Sequence, residues 1–181
     1  MLAKLQNVDE SVIQYATATD FCKVFTEEMH SLYLLSFLLT ADKDKAEQCF
    51  IGALGECVEG IGAFMEWSRL WARRAIMKQA ILMMKPVPKD TDHWSPMSAN
   101  GAATDHTNDL FAAILSLCSF ERVVFVLSVL EGQSDADCRS LLRCSRREVE
   151  IARELAFTFL VKADKGGDYL QEALHRQRHS R

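Results

Sequence analysis

The stretch LEGQSDADCRSLLRCSRREVEIARELAFTFLV, Leu130 to Val161, divides into two helix-forming pieces around a short break. Gly132 suits the position just past a preceding helix, where the backbone turns left-handed. Ser134 is placed to cap a short helix holding Cys138, Leu141 and Leu142. Ser145 and Glu148 then form S-x-x-E, the spacing of a capping box, ahead of a longer helix. The break Arg143-Cys144-Ser145 has the length that a helix-turn-helix uses. On a helical projection Val149, Ala152, Ala156 and Leu160 share an inward face. Arg147, Glu150, Ile151, Glu154 and Thr158 lie opposite.

Upstream, FERVVFVLSVLE (Phe120–Glu131) is apolar nearly all round, which predicts a buried central helix with Ser119 as its cap. NDLFAAILSLC before it reads as a short apolar helix. All three prolines fall within KPVPKDTDHWSPMSANGAATDHTND, Lys85 to Asp109, so this stretch is expected to be a linker. In the first half, Phe21, Phe25, Met29, Leu32, Leu35 and Leu39 predict one amphipathic helix from Asp20 to Leu39. Asp42 can cap a second, striped by Ala46, Phe50, Leu54, Cys57, Val58 and Ile61, with Gly52, Gly55, Gly60 and Gly62 weakening its end. A third carries Trp67, Trp71, Ala75 and Leu82, with both tryptophans expected in the core. Its other faces hold Arg69, Arg73, Arg74 and Lys78.

The expected architecture is all-α: a helical domain over 1–84, the linker over 85–109, a helix-turn-helix domain over 110–163 and a basic tail over 164–181. A net charge of -4 means that any nucleic-acid contact must come from local basic patches. No apolar run approaches the roughly 18 residues of a membrane span, and the N-terminus lacks a signal-peptide core, so a cytoplasmic protein is expected. The six cysteines form no C-x-x-C pair and read as small buried hydrophobes in a reducing compartment. His175 and His179 have i, i+4 spacing but no neighbouring ligand partner, so neither metal nor cofactor is expected. Phosphate loops, nucleophile elbows and H-E-x-x-H are absent from the sequence, so no enzyme is expected.

The chain resembles the small two-domain bacterial RNA polymerase sigma factors of the extracytoplasmic-function type, from about Asp20 to Val161. LLSFLLTADKDKAEQCF is similar to the helix, break and acidic helix start of their second region, and WSRLWARRAIMKQAI to the Trp-led basic helix that follows. In the fourth region, Glu121, Arg122, Glu131, Gly132, Ser134, Leu141, Leu142, Ser145, Val149, Ala156 and Leu160 match in order. The resemblance implies binding to core RNA polymerase through the helix holding Ala46, Glu47, Phe50 and Ile51. It implies duplex promoter DNA as the second partner, and it allows an inhibitory regulator protein. The polar pair that the family carries on the polymerase-facing helix is replaced here by Ile51 and Gly52, so a weaker polymerase contact is expected.

The candidate DNA contacts are Arg139, Arg143, Arg146 and Arg147 around the turn, Glu150 and Ile151 on the recognition helix, and Arg69, Arg73, Arg74 and Lys78 on the Trp-led helix. The last four have a plainer reading as a solvated basic face. Glu150 and Glu154 would repel phosphate, whereas the arginines and the helix dipole at the turn attract it. Two functions therefore stay open: a promoter-directed initiation factor, and a sigma-like module that docks on a protein without reading promoters.

Overall fold

Thr17 starts the first helix through a reciprocal capping box. Its Oγ1 accepts from the Asp20 amide at 3.3 Å while its own amide donates to Asp20 Oδ2 at 2.8 Å. The computed structural model describes residues 15–60, 63–88 and 106–163. Ile61, Gly62, most of the expected linker (89–105) and the basic tail with His175 and His179 lie outside the described residues. Within them the helices are α1 (Ala18–Glu27), α2 (Met29–Thr40), α3 (Lys43–Glu59), α4 (Ser68–Met84), α5 (His106–Ser116), α6 (Ser119–Phe125), α7 (Asp135–Leu142) and α8 (Arg146–Ala163). A 3-10 turn, Met65–Trp67, leads into α4, and α6 widens into a π-turn over Val126–Leu130. The only extended pairing among the described residues is an isolated antiparallel bridge between Tyr15 and Phe64.

The expected helix over Asp20–Leu39 is two helices, broken at Glu28. The break shifts the register, and Met29, expected in the inward stripe, is half-exposed instead. Asp42 caps α3 as expected, accepting from the Lys45 amide at 3.0 Å. The tryptophans expected in the core, at the entry to α4 and on it, are a correction. Trp67 is 54% exposed, Trp71 44% and Leu82 57%, whereas Ser68, Ala72, Ala75, Ile76, Met77 and Ala80 are buried. Small side chains let α4 lie close to α3, where Cys49, Ala53 and Cys57 form the facing surface. The Cys49 thiol donates to the Ile76 carbonyl at 3.3 Å, a contact that larger residues would keep apart.

In the second half, Phe120 to Ser128 are buried without interruption, as the all-round apolar pattern predicts. Cys118, rather than Ser119, occupies the N-cap of α6, and no side chain caps this helix. The inward face of α8 (Val149, Ala152, Ala156 and Leu160) is buried, and Phe157 joins it by packing edge-on against Phe125 at 5.7 Å. Each large apolar side chain buried this way contributes about 1.5–3 kcal/mol. Helix α5 begins inside the stretch expected as linker, and Pro86 is buried at the other end of it. Buried residues of both halves join in one cluster. They meet where Phe37 of α2 stacks on Phe111 of α5 at 6.1 Å and α2 packs on α6.

Candidate nucleic-acid interface

The turn between α7 and α8 is built by three local devices. Ser134 accepts from the Asp137 amide at 3.1 Å and starts α7. Arg143 ends it in the left-handed conformation, φ 53°, with the Cys144 amide donating to the Arg139 carbonyl at 3.3 Å. Ser145 and Glu148 then close the expected capping box. The Ser145 amide donates to Glu148 Oε2 at 2.6 Å and the Glu148 amide to Ser145 Oγ at 3.2 Å. These bonds to Ser145 hold the Glu148 carboxyl below its ordinary range. The result is two helices joined by the three residues Arg143, Cys144 and Ser145.

The cations at this turn differ in state. Arg139, Arg143 and Arg147 are exposed and carry no ion pair among the described residues. Arg146 donates to Glu150 at 2.8 Å, one turn along α8, so part of its charge is already compensated. Glu150 and Ile151 are half-buried, while Glu154 and Thr158 face outward. Arg153, which the sequence reading passed over, pairs with Asp135 and ties α8 to α7. An aspartate at the start of one helix and an arginine on the next are each ordinary, and only the fold brings them together.

The basic face of α4 is compensated throughout. Arg69 lies 3.4 Å from Glu27 and 3.2 Å from Glu28, and Lys78 pairs with Glu56. Arg73 makes a forked pair with Glu131 at 2.8 and 2.5 Å, and Arg74 lies 3.7 Å from Asp137. The four candidate cations thus share a helix but are each matched to a carboxylate, two of them from the other half of the chain. Neither a purely solvated face nor a bare phosphate-binding face describes this surface. Ahead of α4 the exposed Tyr15 and Trp67 flank the half-buried Phe64. Tyr15 stacks on Phe64 at 5.2 Å, and Phe64 meets Trp67 edge-on at 5.3 Å.

On α3, Ala46 is fully buried and cannot touch a partner, a correction to its place among the polymerase contacts. Its small methyl lies in the helix stripe that faces the core. Glu47 is exposed, Ile51 is 68% exposed, and Phe50 is half-buried with its edge on Phe25 at 5.2 Å. These three line an open groove of about 750 Å³ with Met29, His30, Tyr33 and Leu34 of α2. The sequence reading missed the α2 wall. Its signal was an excess of apolar residues in MHSLYLLSFLLT, more than one buried stripe can use. Gly52 does not join the groove and lies against Gln79, whose Oε1 would sit 3.4 Å from an added Cβ.

Three thiols are buried as expected, and Cys22 is exposed, contrary to that expectation. Among the described residues no group of His, Cys, Asp and Glu has the grouping of a metal site, and no helix is long and apolar enough to cross a membrane. No protein-family model matches the chain, and no curated protein does.

Proposed function

We propose that this chain is a sigma-factor-like regulator of transcription initiation, acting in the cytoplasm without catalysis. It binds core RNA polymerase through the first half and promoter DNA through the second. The observation that carries this reading is the α7–turn–α8 unit. A buried inward face fixes α8, and Arg139, Arg143 and Arg147 stand exposed around its first turn. We read this unit as a helix-turn-helix and the two halves as two domains. Cations at that end of a recognition helix reach the groove edge and its phosphates, and the helix dipole adds to their field. The Tyr15, Phe64 and Trp67 rings supply flat apolar surface of the kind on which unpaired bases stack.

A second reading is favoured by the apolar groove and by the compensated cations of α4. In it the chain docks on a protein through Ile51, Leu34 and their neighbours and does not read promoters. Fluorescence anisotropy of the full chain on a mixed-sequence duplex, as a salt series, separates the two. The first reading predicts binding at low salt. Replacing Arg139, Arg143 and Arg147 with Ala should then weaken it and flatten the salt slope by roughly 0.9 for each phosphate no longer neutralised. An unchanged slope in the triple variant, or no binding by the wild type, leaves the protein-docking reading in place.

A further inference from the structure

The forked Arg73–Glu131 pair joins the two halves at a candidate DNA-binding cation. Glu131 is aimed by its place in the chain. Its amide closes the π-turn onto the Val126 carbonyl at 2.9 Å, and Gly132 turns the backbone away at φ 63°. Only 8% of the Glu131 side chain is exposed, so the pair is screened less than an open surface bridge. The hydrogen bonds that Arg73 donates to Glu131 hold its guanidinium still more firmly protonated. Beside it, Arg74 lies 3.7 Å from Asp137 Oδ1, while the other Asp137 oxygen accepts from Ser134 Oγ at 2.5 Å. Both carboxylates belong to the segment from Glu131 to Asp137 that leads into the turn, and both arginines belong to α4.

A second contact between the halves, among the described residues, has a different chemistry. Phe37 stacks on Phe111, and the buried Arg122 donates to the Thr40 carbonyl at 3.5 Å. Salt has little purchase on an aromatic stack, whereas a guanidinium fork donates to either a carboxylate or a phosphate in the same geometry. The seam thus has an apolar side at α2 and an exchangeable ionic side at α4.

We propose that Arg73–Glu131 and Arg74–Asp137 form a latch that closes the two halves and withholds both arginines until a nucleic-acid phosphate backbone competes for them. The phosphate step rests on the DNA-binding reading above; the closure rests on the contacts alone. The Phe37–Phe111 side then serves as the pivot.

The test uses the full chain. Glu131→Gln with Asp137→Asn keeps side-chain shape and removes both carboxylate charges; circular dichroism checks that the helices remain. Small-angle scattering should show a larger radius of gyration than the wild type. Anisotropy on a mixed-sequence duplex should show several-fold tighter binding, with the salt slope steeper by up to roughly 0.9 for each arginine released to phosphate. Arg73→Gln with Arg74→Gln should expand the chain as well but gain no affinity. In the four-fold variant the gain should vanish, which separates release of the arginines from mere loss of negative charge. An unchanged radius in the carboxylate variant overturns the latch. Expansion without tighter binding, in a chain whose wild type binds DNA, overturns the competition. Absence of DNA binding in every variant rejects the phosphate step together with the promoter reading, and the scattering still decides the closure.

Discussion

Cys49, Cys57 and Cys138 are buried, and burial pushes each thiol up to about 11 from an ordinary value of 9.0. Their thiolates are scarce at neutral pH, so alkylation of the native protein should start at the exposed Cys22. Mass mapping of an iodoacetamide time course checks this, and early labelling of Cys138 would contradict the packing around it. The same shifts make these thiols a source of alkaline destabilisation. The folded-state pKa lies above the unfolded one, so below about 9 these thiols are neutral in both states and take nothing from stability. As the pH rises from about 9 toward about 11, the unfolded chain ionises first and stability falls. Denaturant midpoints across that window should drop, and should drop less in Cys138→Ala.

At the scale of elements, a glycine within α3 and the glycine at its C-cap have opposite consequences. At Gly55 an added Cβ meets nothing within 4 Å, so Gly55→Ala should stabilise the helix by about 0.5–1 kcal/mol. At Gly60, the C-cap, an added Cβ would lie 2.7 Å from the Glu56 carbonyl oxygen, so Gly60→Ala should lower the melting temperature where Gly55→Ala raises it. Thermal melts of the two variants measure both signs. Helix starts were the most legible part of this chain. Asp42, Ser134 and the Ser145–Glu148 pair act on amides within three residues, so their chemistry is written locally. The choice of buried face on α4 was not legible. Trp67, Trp71 and Leu82 have far more apolar surface to bury than Ala72 and Ala80, but close approach to Cys49 and Ala53 selects the small residues for the inside.

At the scale of the whole molecule, the candidate cations divided in a way that no local pattern could reveal. Arg73 and Glu131 are 58 residues apart in sequence, and nothing in either neighbourhood announces the other. The turn arginines were legible because turn, cap and inward stripe lie within one contiguous stretch. The groove of α2 and α3 was half legible: Glu47, Phe50 and Ile51 were picked out by resemblance, while Met29 and Leu34 had been assigned to no outer surface. The composition of 85–109 still predicts where the chain is most open to cutting. Limited proteolysis should cleave first within Lys85 to Asp109, and cleavage concentrated within Phe120 to Glu131 would contradict the buried centre of the second half.

In the proposed function a DNA-binding turn and a polymerase-binding face share one chain, and retention of core RNA polymerase measures whether they do. The immobilised full chain should retain bacterial core polymerase at low salt. Ile51→Asp, a change at a site 68% exposed and therefore harmless to the fold, should abolish retention. No retention by the wild-type chain at low salt, with the duplex-binding assay also silent, would overturn the proposed function and leave a helical module that docks elsewhere.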